Sequence, residues 1–107
     1  MKVFTILVTA AFGCGGVIGA MAADKMIGQK GKVFSETEVT VKVGESLIYM
    51  NDDSVAHNIL STTAGNEFNL GSQEPGASSP AKFKAAGDVK VLCAIHPRMQ
   101  MTVRVVN

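Results

Sequence analysis

The chain has 107 residues, 47% of them apolar and 11 of them glycine, which suits one folded domain and excludes a disordered or collagen-like chain. Ten Lys+Arg against nine Asp+Glu give a formal charge of +1, so no basic field exists to hold a nucleic-acid backbone. Two cysteines, Cys14 and Cys93, are too few for a disulfide-stapled mini-protein.

Residues 1–22 read as a cleavable signal peptide, with Lys2 as the positive end, an apolar run from Val3, and the small-x-small pattern Ala20-Met21-Ala22 at the cleavage site. A transmembrane anchor is the competing reading, but glycines at 13, 15, 16 and 19 suit an export signal better. Phe12-Gly13-Cys14 fits a lipid-anchor motif poorly, and there is no twin arginine. The expectation is a periplasmic or otherwise exported protein whose mature domain, 23–107, has no stable membrane insertion. Losing Lys2 leaves nine charges of each sign, and losing Cys14 leaves Cys93 alone. A single cysteine in an oxidising compartment calls for a role, as a reactive thiol or a metal ligand.

Along the mature chain the signals are those of strands. Val39, Val41 and Val43 alternate with Thr40 and Lys42, the period of a half-buried strand. Gly44-Glu45 breaks that run, and Ser46–Met50 reads as the next strand. Asn51-Asp52-Asp53-Ser54 is a polar turn cluster, after which His57–Leu60 is extended again. Residues 61–80 read as a long irregular stretch with one short strand and Phe68 and Leu70 as its anchors. Gly87-Asp88 is expected to turn the chain. Val89, Val91 and Cys93 share one parity, so Cys93 closes the inward face of a strand, and Val103 and Val105 define the last strand. No helical stripe persists, and the pattern predicts a small antiparallel β-sandwich.

The segment Cys93-Ala94-Ile95-His96-Pro97-Arg98-Met99-Gln100-Met101 packs thiolate, imidazole and thioether donors between two strands. Soft sulfur with imidazole selects copper, and one Cys, two His and a weak axial Met form the blue-copper arrangement. The second imidazole must then be His57, the only other histidine of the chain. Taken singly, Cys93 reads as a buried thiol, each His as an ordinary surface or core residue, and Met99 and Met101 as apolar filler. Zinc competes, but its tetrahedral sites rarely take a thioether. The joint pattern favours copper.

Over residues 28–107 the chain resembles the cupredoxins of the plastocyanin/amicyanin type. The resemblance rests on Asn51-Asp52-Asp53, Val55-Ala56-His57-Asn58, Gly87 ahead of the strand into Cys93, and C-x-x-H-P-x-M. It implies an all-β Greek-key β-sandwich with one type 1 copper per chain, held by His57, Cys93 and His96, with Asn58 tying the two ligand loops together. The axial ligand is Met99 at the spacing of amicyanin or Met101 at that of plastocyanin. The family's valines at +4 and +6 fall on Val103 and Val105 when counted from Met99, which favours Met99. Ile95 stands where many members have proline, and Leu92 replaces the aromatic residue that often precedes the cysteine; both bear on the tuning of the site.

The function implied is single-electron transfer by a monomer that docks transiently on redox proteins such as a c-type cytochrome or a dehydrogenase. His96 would be the port, and Ile95, Pro97 and Arg98 its docking surface. A copper transport or storage protein without electron transfer is the alternative, and a metal-free adhesion-type sandwich a weaker third reading. An enzyme is not expected: no histidine is left for a second metal, no nucleophile–base pair stands out, and Asp52-Asp53 reads as a turn.

Overall fold

The computed structural model describes residues 24–107; the leader expected over 1–22 lies outside the described residues. Nine strands make up the regular structure: β1 (Asp24–Lys30), β2 (Val33–Phe34), β3 (Glu38–Lys42), β4 (Ser46–Asn51), β5 (Ile59–Ser61), β6 (Phe68–Asn69), β7 (Ser78–Lys82), β8 (Gly87–Cys93) and β9 (Gln100–Val106). They form a four-stranded sheet in the order β2-β1-β4-β7 and a five-stranded sheet in the order β3-β9-β8-β5-β6. Among the described residues, no helix is long and apolar enough to cross a membrane.

Side-chain alternation builds the core. Val39 and Val41 of β3, Leu47 and Tyr49 of β4, Val89, Val91 and Cys93 of β8, and Met101, Val103 and Val105 of β9 are all buried, while their neighbours Thr40, Lys42, Lys90 and Arg104 face solvent. Each fully buried aliphatic or aromatic side chain contributes about 1.5–3 kcal/mol. A relay of aromatic contacts crosses between the sheets, from Phe34 to Tyr49 (ring centroids 5.9 Å apart), to Phe68 (6.5 Å) and to Phe83 (5.8 Å). Phe68 and Leu70, the expected anchors of the irregular stretch, pack against this core.

Three features differ from the sequence reading. The sandwich is mixed rather than antiparallel: β1 runs parallel to β4 and β3 parallel to β9. Period-two alternation reports which face a residue occupies and carries no strand direction. The stretch 61–80 ends in a second strand, since β7 begins at Ser78 and runs through Pro80. Proline is tolerated there because β7 is a sheet edge, bonded only to β4. Gly87 and Asp88 open β8 instead of turning, opposite Val105 and Arg104.

One tight connection bears on the site. Gly31 and Lys32, at φ 64° and 60°, join β1 to β2 as a two-residue turn of the I′ type. Positive φ is easy for Gly31 and strained for Lys32, so the surroundings must hold Lys32 there.

Candidate metal centre

His57, Cys93 and His96 come together at one end of the sandwich. Cys93 is the last residue of β8, opposite Ile59 of β5, and its position in the inward row buries the thiol completely. His57 lies just ahead of β5 and is also fully buried. A bridge to Gln73 fixes its main chain, with His57 N–H donating to the Gln73 carbonyl (3.0 Å) and Gln73 N–H to the His57 carbonyl (2.7 Å).

His96 sits on the connection from β8 to β9 and is only partly buried. Pro97 follows it at the second position of a turn that closes through Met99 N–H to the His96 carbonyl (2.8 Å). The Cys93 N–H donates to the Met99 carbonyl (3.1 Å), which folds the connection back on the strand that carries the thiol.

The donor atoms are spaced as ligands of one ion. Cys93 Sγ is 3.6 Å from His57 Nδ1 and 3.7 Å from His96 Nδ1, and the two Nδ1 atoms are 3.1 Å apart. Bonds of about 2.0–2.1 Å to imidazole and about 2.3 Å to thiolate, at roughly trigonal to tetrahedral angles, place donors about 3–4 Å from one another. The set of one thiolate and two imidazoles is the equatorial set that suits copper. Residues and spacing fit the ion without rearrangement.

The surroundings fix each donor. The Asn58 N–H donates to Cys93 Sγ at 3.3 Å, and the Ala94 N–H donates to the Asn58 carbonyl at 2.9 Å. Asn58 therefore links the two ligand segments through its main chain; its side-chain amide donates instead to Asn69 of β6 (2.8 Å). Met99 and Met101 are both buried, and Met101 Sδ accepts the Tyr49 hydroxyl at 3.5 Å. Burial pushes the Tyr49 phenol above its ordinary range, so it remains a donor.

His57 Nε2, the nitrogen facing away from the cluster, is 3.1 Å from Asp53 Oδ2. The Asp53 carboxyl is pushed down to about 2, chiefly by the backbone N–H of Lys32 and then by the His57 ring. Sequence reasoning placed Asp53 in a turn and gave it no further part. Its place four residues before His57 is the trace it left in the sequence. Behind His57 lies a second group, the buried amides of Gln29, Asn51 and Gln73, of which sequence reasoning named only Asn51, as part of a turn cluster. Gln29 Nε2 donates to Gln73 Oε1 (2.8 Å), Gln73 Nε2 to the Tyr49 carbonyl (2.8 Å), and Asn51 Nδ2 to the carbonyls of Val55 (2.9 Å) and Gln73 (2.8 Å).

On the outside, Lys32, Ile95, His96, Pro97, Arg98 and Met99 line a surface hollow of about 420 Å³. Ile95 is 55% exposed, high for so large an apolar side chain. The docking residues expected from the sequence thus share one surface with His96, and the β1–β2 turn adds Lys32 to them.

Comparison with known proteins agrees with this construction. No curated protein matches the chain. Among solved structures, a purple cupredoxin from Nitrosopumilus maritimus is similar at 28% identity and a TM-score of 0.68, over 77% of this chain and 99% of that one. An oxidised amicyanin variant is similar in fold at 19% identity and a TM-score of 0.70, over 76% and 80%. A copper-containing nitrite reductase from Thermus scotoductus shares the fold at 19% identity and a TM-score of 0.72, over 78% of this chain but only 22% of that one. The family described as copper binding proteins of the plastocyanin/azurin type matches residues 21–106. With its His57, Cys93 and His96 cluster, the chain belongs to that copper-binding family.

Proposed function

We propose that the protein is an exported, monomeric carrier of single electrons that docks transiently on redox proteins such as a c-type cytochrome or a dehydrogenase. One observation carries this reading: a fully buried thiol and a fully buried imidazole share the site with a second imidazole, His96, at the surface. Copper bound there supplies a one-electron Cu(II)/Cu(I) couple, and a Cys/His/His set with a weak thioether suits both states. Cys93 and His57 are held from behind by the Asn58 N–H and the Gln73 bridge, so the donors keep their places when the charge changes. His96 offers the short path outward, and Ile95 and Pro97 beside it exclude water from a partner's face. Small, weakly held contacts of this kind favour fast release.

In this reading Met99, rather than Met101, would supply the thioether to the copper. Its main chain is bonded to both His96 and Cys93, whereas the Met101 sulfur is engaged by Tyr49 in the core. A carrier rather than an enzyme is supported by the use of both histidines of the chain in one site. Copper reconstitution followed by optical and paramagnetic spectra tests the proposal. An intense thiolate-to-Cu(II) charge-transfer band with reversible cycling is expected. A colourless protein that holds only Cu(I) would overturn the carrier reading in favour of copper transport or storage.

A further inference from the structure

The Asp53 carboxylate is the polar group nearest the site that electron transfer as described above does not use. It lies in the turn between β4 and His57, with its side chain 13% exposed. Its neighbour Asp52 is exposed, and Asp52 Oδ2 lies over Gly28 of β1. Only Asp53 faces the site.

Three donors converge on Asp53. Oδ2 accepts from His57 Nε2 (3.1 Å) and from the Lys32 N–H (2.9 Å), and Oδ1 accepts from the Ser54 N–H (3.0 Å). The Asp53 N–H donates to Asn51 Oδ1 (2.8 Å), and Asn51 is fully buried, so the carboxylate is aimed from its own backbone. Lys32 is the one non-glycine residue at positive φ among the described residues, and its N–H donates to Asp53 Oδ2. The strained turn is therefore spent on completing this carboxylate's shell.

Among the described residues, no lysine or arginine side chain pairs with Asp53; its charge is met by N–H dipoles and by the imidazole alone. The negative charge consequently acts on His57 without a compensating cation. An imidazole that donates its outer N–H to a carboxylate is fixed in one tautomer, and its inner nitrogen becomes a stronger donor. A stronger donor favours the higher charge of Cu(II) over Cu(I).

We propose that Asp53 is a positioning residue of the copper site: it holds the proton of His57 on Nε2, directs Nδ1 toward the metal, and biases the site toward Cu(II). The redox part of this proposal rests on the reading of the site as a Cu(II)/Cu(I) centre, whereas the imidazole part concerns the metal-free chain and is read separately.

The test compares wild type with Asp53→Asn and Asp53→Glu. In the metal-free protein, nitrogen-resolved imidazole spectra are expected to find the His57 proton on Nε2 and slow to exchange. Asp53→Asn keeps an acceptor for the Lys32 N–H but removes the charge. It is expected to speed exchange of the Nε2 proton about tenfold and to lower the Cu(II)-over-Cu(I) preference about tenfold, a rise in reduction potential of about 59 mV for one electron. Asp53→Glu is expected to return both readouts most of the way to wild type. Unchanged proton exchange and potential in Asp53→Asn overturn the proposal, as does an Asp53→Glu protein that behaves like Asp53→Asn. Should Asp53→Asn fail to fold, wild type alone decides: a His57 proton on Nδ1, or one on Nε2 in rapid exchange, overturns the assignment. A wild-type protein with no thiolate-to-Cu(II) band refutes the electron-carrier reading and leaves the imidazole test standing.

Discussion

Gln73 makes the support behind His57 measurable. Its side chain bridges two fully buried partners, accepting from Gln29 Nε2 and donating to the Tyr49 carbonyl, both at 2.8 Å. Replacing Gln73 with leucine keeps the approximate volume and leaves both partners without it. A buried group deprived of its partner costs about 1–3 kcal/mol, so Gln73→Leu is expected to destabilise by about 2–6 kcal/mol, a large part of the stability of a small domain. In the double variant Gln29→Leu/Gln73→Leu the Gln29 amide is gone and only the Tyr49 carbonyl is left without its partner. Replacing both ends of a buried hydrogen bond with apolar groups of similar shape is much less costly than replacing one. The double variant should therefore be more stable than the sum of the single changes by about 1–3 kcal/mol.

Urea unfolding of the metal-free protein, with the same m-value in every variant, reads these differences directly. The bonds between the main chains of His57 and Gln73 survive in all three variants, so the Cu(II) thiolate band should keep its position. Additivity within about 0.5 kcal/mol would show that the two amides are not coupled and would refute the reasoning.

Three further predictions address the rest of the site. The Asp53 carboxyl falls from 3.8 in the free side chain to about 2 in the fold, so its contribution is fully present above about pH 4 and is lost as pH falls toward 2. Urea midpoints of wild type and Asp53→Asn should thus differ most at pH 5 and converge toward pH 2; a gap constant with pH contradicts this. Met99→Leu should shift the optical and paramagnetic spectra and raise the potential while changing the apo-protein's stability by less than about 1.5 kcal/mol. Met101→Leu should leave the spectra alone and remove only the Tyr49 contact, and a reversal of these two outcomes would make Met101 the axial ligand. Finally, Lys32 and Arg98 are the charged residues lining the hollow beside His96, so Lys32→Glu and Arg98→Glu should slow oxidation by ferricyanide, an anionic probe, about tenfold at low salt. The difference should fade at high ionic strength, and an effect independent of salt would assign the loss to a damaged site instead.

The ligand loop was the most legible part of the chain. Cys93 and His96 stand three residues apart with Pro97 next, a spacing that a tight turn can bend to one point, and the inventory left His57 as the only partner. The parity of Val89, Val91 and Cys93 placed the thiol inward, and all three are fully buried. The strand β1 was not legible, because its inward positions alternate an isoleucine with a glutamine, Ile27 and Gln29, and a buried glutamine reads as surface until its partner is known. That partner, Gln73, lies 44 residues away. Residues 61–80 read as largely irregular, and only the position of β7 at a sheet edge accommodates Pro80 within a strand.

Local sequence by itself determined which residues face inward, where the soft donors cluster, and that one thiol and two imidazoles suffice for a single copper site. Those properties follow from alternation, turn chemistry and the count of donor atoms, all short-range or compositional. Tertiary structure decided the strand directions, the closing of three donors to separations of 3.1–3.7 Å, and the use of Asp53 as the outer partner of His57. Each of these depends on contacts between segments that only the packed sandwich holds in register. Asp53 and the β1–β2 turn that donates to it illustrate the difference: the two turns are 21 residues apart in sequence, and the fold alone brings the Lys32 N–H, the carboxylate and the imidazole into one line of hydrogen bonds.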